Sequence, residues 1–261
     1  MQRESIDKIA KTPEDRLLLA KLWDKINGGI QRNAPSQTGF LSPREQTLAG
    51  FLFGDAPGLF AFGGWAEAER KMLVYLPDYL EEGYLLSEDS PVVCLEGTFF
   101  QGDSLTHRDI LGALMGIGIR RETVGDIFVE PGRAVFFVSQ EIAPFVLDNF
   151  TSAGRTALHL CRRNLAEVQL PQPEFQTIRD TVSSLRLDSI VSSGFRIGRS
   201  LAASQIRAGK ASLDGIPCEK PDKEVPQGAK ISLRGLGKIR LAQVGGRTKK
   251  DRISITIQKY V

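Results

Sequence analysis

Between Val92 and Val168 strand-like and helix-like stretches alternate in a fixed order, and that order restricts the fold more than any other feature of the chain. Val92–Phe99 is an apolar strand run, and Thr106–Gly116 has helical spacing with Thr106 and Asp109 in capping positions. Val124–Val129 and Ala134–Val138 are strand runs divided by Glu130-Pro131-Gly132-Arg133, a hairpin turn signal. Glu141–Ser152 reads as a second helix, and Thr156–Val168 contains a last strand. The order βαββαβ predicts a ferredoxin-like, RRM-like middle domain over residues 84–173. RNA-recognition modules share that order with many unrelated domains, so it does not settle function. Their signature also needs aromatics spaced along the third strand. Phe136 and Phe137 are adjacent and point to opposite faces, leaving one at most to stack on a base.

The preceding residues, 1–83, predict an N-terminal α/β region. Thr12-Pro13-Glu14-Asp15 opens a helix carrying Leu18, Leu22 and Ile26, with Gly28-Gly29 expected to end it. Ser42 and Glu45 form a capping box around Pro43, ahead of Leu48, Phe51 and Leu52. Leu59–Phe62 and Lys71–Leu76 are short strands flanking Gly63-Gly64-Trp65 and a short helix expected through Glu69. Leu170-Pro171-Gln172-Pro173 marks a bend, from which Glu174–Ser183 leads into the last third.

Charge is divided unevenly. From Ser183 to Val261 sixteen Lys and Arg stand against six Asp and Glu, a net +10, while Met1–Val182 is net −7. A basic third on an acidic body points to a polyanion partner. No apolar run is long enough to cross a bilayer, the N-terminus reads as neither signal nor transit peptide, and Cys94, Cys161 and Cys218 stand far apart. A cytoplasmic protein with reduced cysteines is expected, with no metal site, no cofactor and no membrane insertion. Oligomeric state is not legible.

The basic third has its own pattern. Arg186-Leu187-Asp188 precedes Ile190 and Val191 on one helical face; Arg199 and Ser200 open a second helix that Ile206 packs and Gly209 stops. Lys210–Leu213 and Lys230–Arg234 are strands, with Asp214-Gly215 a turn. This register resembles the S4 (αL-type) RNA-binding domain, expected over residues 183–261. Gly198, Asp214 and Ala229 depart from the family pattern, which has Ser, Asn and Asp there. The resemblance implies an RNA surface built from Arg186, Arg196, Arg199, Ser200, Arg207, Lys210, Lys230, Arg234, Lys238 and Arg240, extended by Arg247, Lys249, Lys250 and Arg252. Asp188 is read as fixing its helix. Phosphate contacts supply affinity with little sequence information, so recognition of folded RNA by shape is the expected mode.

Further motifs lie upstream: Phe40–Gln46, Gly63-Gly64-Trp65 with Ala68-Glu69-Arg70, His107-Arg108-Asp109 running to Arg120-Arg121, and Gly125-Asp126-Ile127. With the S4 pattern these resemble the YlmH-type family, whose cyanobacterial and plastid branch is called the photosystem II S4 domain proteins. The resemblance implies an α+β chain with an RNA-recognition-like middle, and binding to the large ribosomal subunit and tRNA during rescue of stalled translation. It also makes Arg108, Arg120 and Arg121 possible secondary contacts. A catalytic reading of His107-Arg108-Asp109 lacks a second histidine nearby, a cysteine nucleophile and metal-ligand spacing, so no catalytic residue is expected. The rival readings are an RNA-modifying enzyme of the pseudouridine synthase or methyltransferase type, and a photosystem II assembly scaffold. The first needs a catalytic domain or glycine-rich loop that the sequence does not offer.

Overall fold

The computed structural model describes residues 5–171 and 174–260, which divide into two compact units, Met1–Pro171 and Gln172–Val261. Both are mixed α and β. The bend at Leu170–Pro173 runs into Gln172 and Pro173, which lie outside the described residues, as do the first four residues. No helix of the described residues is long and apolar enough to cross a membrane.

The first unit begins with α1 (Ile6–Ile9) and α2 (Pro13–Arg32). Thr12 Oγ1 accepts the Asp15 amide at 3.1 Å, as a capping residue should. The helix does not stop at Gly28-Gly29; it continues to Arg32 and ends at Asn33 in the left-handed region. Gly29 is there for close approach, since a Cβ on it would stand 2.1 Å from Ser36 Oγ on β1 (Ser36–Gln37). α3 (Pro43–Phe53) has the expected capping box, with Ser42 N donating to Glu45 Oε2 at 2.6 Å. Its buried face is Leu48, Ala49, Leu52 and Phe53, whereas Phe51 is 63% exposed. β2 (Leu59–Phe62) and β3 (Met72–Tyr75) follow, and the small antiparallel sheet has the order β1-β3-β2. The helix expected through Glu69 is absent. Asp126 draws the Glu69 and Arg70 amides away from helical pairing, at 2.7 and 3.0 Å, and holds the segment as turns.

β4 (Val92–Thr98), α4 (His107–Gly116), β5 (Val124–Glu130), β6 (Arg133–Ser139), α5 (Ala143–Asn149), the short pair β7 (Ser152–Ala153) and β8 (Thr156–Ala157), and β9 (His159–Arg163) complete the unit. The strands form an antiparallel sheet in the order β5-β6-β4-β9. Alternation along β6 sends Phe136 to the face packed by Ile110, Leu114, Val146 and Phe150, from α4, α5 and the residue after it. Phe137 goes to the other face, against Phe40, Met72 and Val74. Both rings are 0% exposed, so neither is available to stack on a base. The sheet has no free face at this strand because the N-terminal elements cover the side opposite the helices.

The second unit opens with β10 (Phe175–Val182), a strand where only a lead-in segment was expected. α6 (Leu187–Phe195), α7 (Arg199–Arg207), β11 (Ala211–Leu213), β12 (Ile216–Pro217), β13 (Lys230–Leu233), β14 (Gly237–Arg247) and β15 (Ile253–Tyr260) follow. All pair antiparallel in the order β10-β15-β14-β13-β11-β12. α6 and α7 bury Leu187, Ile190, Val191, Ala202 and Ile206 against Ile178, Ile231, Leu233, Ile239, Leu241, Ile255 and Ile257. Two departures from the S4 pattern have local causes. Asp214, at φ +48 in the β11–β12 turn, accepts the Lys230 amide on Oδ1 at 2.8 Å. Ala229 is buried in the core, where a carboxylate would be desolvated.

Candidate nucleic-acid interface

In the second unit the helix pair sets the position of most of the predicted contacts. Arg186 precedes α6, Arg196 takes the left-handed C-cap of that helix at φ 53°, and Arg199 and Ser200 form the first turn of α7. Arg207 ends α7 and Lys210 follows it, both exposed. Gly198 caps α7 without a side chain, so the first amides of this nine-residue helix have no side-chain acceptor at the cap.

Asp188 fixes this arrangement. It is 5% exposed and accepts Arg186 Nη2 at 3.1 Å and Arg199 Nη2 at 3.3 Å, which ties the start of α6 to the start of α7. Burial alone would raise its pKa; hydrogen bonds and charge from Arg199 and Arg186 outweigh this and hold the carboxyl below its usual range. Both arginine side chains stay about half exposed.

A groove of about 340 Å³ lies beside this pair, lined among others by Ser192, Ser193, Arg196, Arg199 and Arg252. Arg252 comes from far along the chain: β10 pairs Val182 with Ile253, and Arg252 Nε donates to Thr181 Oγ1 at 2.9 Å. Three cations and several hydroxyls outnumber the one acid on this open groove, Asp180, which accepts Ser193 Oγ at 2.7 Å, and the positive balance suits phosphate oxygens. The charge run Arg247–Arg252 was visible in the sequence, but its position beside Arg196 depends on a strand pairing that no local pattern announces.

The other predicted residues do not join this group. Lys230 on β13 and Lys238 and Arg240 on β14 alternate with Ile231, Ile239 and Leu241, which pack on the helices. They therefore project from the opposite face of the sheet. Lys238 Nζ lies 5.6 Å from the centroid of Tyr260. Arg234 sits in the turn after β13, its amide donating to Lys210 O at 3.0 Å. The single basic surface read from the sequence is two surfaces on opposite sides of one sheet.

In the first unit, Arg108 is exposed on α4, and Arg120 forms a surface ion pair with Glu122 at 3.1 Å. Arg121 is half-buried and donates through Nη1 to Val124 O at 2.5 Å. Asp109 is engaged in the capping box with Thr106. Asp126 takes Trp65 Nε1 at 3.0 Å besides the two amides already described, so the Gly-Gly-Trp, Glu-Arg and Gly-Asp motifs meet in one clasp. Among the described residues no group of three or more His, Cys, Asp or Glu is placed to hold a metal ion. Cys94 is buried, which pushes its thiol pKa up to about 12 and leaves it unreactive.

Residues 100–167 match the family described as a putative RNA-binding domain in YlmH. The chain is similar to the ribosome-associated protein quality control protein P2 of Bacillus subtilis strain 168, at 34% identity over 226 residues, covering 85% of this chain and 86% of that protein. Among solved structures it is similar to the cell division protein ylmH from Streptococcus pneumoniae, at 27% identity and a TM-score of 0.48, covering 60% of this chain and 96% of the other.

Proposed function

The chain belongs to the YlmH-type family, and from that premise we propose that it is a non-catalytic factor that binds structured RNA on the ribosome through its C-terminal unit. The observation that carries this reading is the gathering of Arg196, Arg199 and Arg252 around one groove beside the uncapped first turn of α7. The relative's association with ribosomes and with protein quality control supports a ribosome-bound role; on this proposal the event is rescue of stalled translation and the ligands are rRNA of the large subunit and tRNA. The cytoplasm is the matching compartment.

On this reading residues 183–261 are an S4 domain of the αL type, supported by the helix pair packed on an antiparallel sheet. Residues 84–173 are a ferredoxin-like, RRM-like domain, supported by the order β5-β6-β4-β9 with α4 and α5 on one face. Phe40, Met72, Val74 and Leu76, from the 1–83 region, pack on the other face. Buried Phe136 and Phe137 leave this RRM-like domain without the third-strand stacking platform of RNA-recognition modules, so its RNA contacts fall elsewhere.

The test is crosslinking to RNA in cells followed by sequencing of what is recovered, for the wild type and for Arg199→Glu with Lys210→Glu. Recovery of rRNA or tRNA that disappears in the double variant supports the proposal, and no enrichment in either protein refutes it. A modified nucleoside that vanishes on deletion of the gene is the result that would favour an RNA-modifying enzyme. Tolerance of the charge reversal in the double variant, with no RNA recovered, would favour the scaffold reading.

A further inference from the structure

α6 and α7 cover one face of the six-stranded sheet of the second unit, and the residues that alternate to its other face form a surface of a different kind. The register sets its membership. Phe175 pairs with Tyr260, Arg240 with Gln258, Lys230 with Arg240 and Ser232 with Lys238. Thr177 and Arg179 on β10 and Thr256 on β15 share that side. Its cations, Arg179, Lys230, Lys238 and Arg240, are exposed or half-buried. Among the described residues, the strand positions on this side hold no acid. Glu174, exposed just ahead of β10, and Asp214, whose Oδ1 accepts the Lys230 amide at 2.8 Å, stand at the rim and are outnumbered by the four cations. Asp180 belongs to the helix side, where it accepts Ser193 Oγ.

Folding alone does not favour this composition. Lys230 stands directly opposite Arg240, and like charges directly opposite destabilise a strand pair. Phe175 and Tyr260 carry large apolar area yet lie outside the core that α6 and α7 bury. They meet edge to face instead, with centroids 4.9 Å apart, and Lys238 Nζ lies 5.6 Å from the Tyr260 centroid. Aromatic rings beside a row of cations suit bases and phosphates together, since bases stack on flat side chains while the cations follow the backbone. Thr177, Ser232, Thr256 and Gln258 add hydroxyl and amide groups between them. A paired RNA helix keeps its bases stacked inside and presents mainly its backbone, so the aromatic pair points to an unpaired strand.

We propose that the helix-free face of this sheet binds an unpaired stretch of RNA, with Phe175 and Tyr260 as the stacking pair and Arg179, Lys230, Lys238 and Arg240 along the phosphates. The inference rests on the RNA-binding reading of the second unit and goes beyond it. The groove beside α7 holds folded RNA on one side of the sheet, and a single strand lies on the other. Lys230, Lys238 and Arg240, which the strand register removes from the groove, thereby gain a ligand of their own. A unit with two RNA faces joins a folded element to a neighbouring unpaired one.

The test uses the full chain in anisotropy titrations with two fluorescein-labelled probes, an oligouridylate of about twelve nucleotides and total tRNA. Arg179→Gln with Lys230→Gln should weaken oligouridylate binding about 10-fold, with a log-affinity against log-salt slope shallower by about 1.4. Phe175→Leu keeps an apolar residue at the start of the strand and removes the ring, and a loss of about 5–10-fold for oligouridylate is expected. Thermal melts establish that both variants fold. Arg199→Glu with Lys210→Glu should abolish tRNA binding and leave oligouridylate binding within about threefold. Oligouridylate affinity and slope unchanged in the folded sheet variants overturn this face while the α7 groove stands, as does a wild type that binds tRNA but not oligouridylate. Loss of oligouridylate binding in Arg199→Glu with Lys210→Glu alone also overturns it. Displacement of the oligouridylate by an oligoglutamate of equal length and concentration would assign the face to an acidic protein segment instead. A wild type that binds neither probe overturns both readings.

Discussion

Replacing Asp188 with alanine is expected to destabilise the second unit by about 2 kcal/mol. The carboxylate is almost fully buried and accepts from Arg186 at 3.1 and 3.3 Å and from Arg199 at 3.3 Å. Removing one partner from a fully buried pair costs about 3–5 kcal/mol. Here the arginine side chains are 43% and 49% exposed, so water solvates them once the carboxylate is gone and the cost falls below that range. For a domain of roughly 60–100 residues each kcal/mol moves the midpoint by about 4–8 °C, which gives a fall of about 8–16 °C in the transition of this unit. The pH dependence has a definite sign. Because the folded pKa of Asp188 is depressed, its contribution is present above the ordinary carboxylate range near pH ~4 and is lost as pH drops through the lower folded value. Thermal melts followed by circular dichroism should therefore show a gap between wild type and Asp188→Ala at neutral pH that narrows in acid. Equal midpoints at neutral pH, or a gap that widens in acid, would refute the claim that Asp188 ties the two helices.

Two further changes probe the fold. Gly64→Ala should destabilise the first unit by about 2–4 kcal/mol, because φ is +92° and a Cβ would stand 2.4 Å from the buried Phe137 ring; urea denaturation of the full chain measures it, and a loss below about 0.5 kcal/mol contradicts the packing described. Asp214→Ala should cost about 1–2 kcal/mol by orphaning the Lys230 amide and placing alanine at φ +48°, whereas Asp214→Asn, which keeps an acceptor and tolerates that conformation, should cost less. The order of the two midpoints in thermal melts decides this.

Much of the architecture was legible because its signals are local. The caps at Thr12, Ser42 and Thr106 report the first turns of α2, α3 and α4 wherever the helices end up packing. The alternation from Val92 to Val138 reports strand faces for the same reason. What could not be read depends on partners distant in the chain. Gly28-Gly29 looks like a stop until Ser36 is seen crossing Gly29. The strand Phe175–Val182 has few buried positions of its own and exists through its pairing with Ile253–Tyr260. The candidate site divides in the same way. The order of Arg186, Arg199 and Lys210 along two helices follows from the sequence, but the separation of Lys230, Lys238 and Arg240 onto the other face needed the register of β13 and β14. Arg70 carries no local sign of its structural role, since its placement beside Arg121 is made by the carbonyl of Val124.

The salt dependence of RNA binding tests the central claim most directly. If Arg196, Arg199, Lys210 and Arg252 each neutralise a phosphate, affinity of the full chain for tRNA should fall by about 150-fold between roughly 50 and 200 mM salt, as the released counterions oppose binding. Arg199→Glu with Lys210→Glu should weaken binding and flatten that dependence. An affinity that stays within about threefold across the same range, or a double variant with the wild-type slope, would contradict a basic phosphate-binding surface on the C-terminal unit.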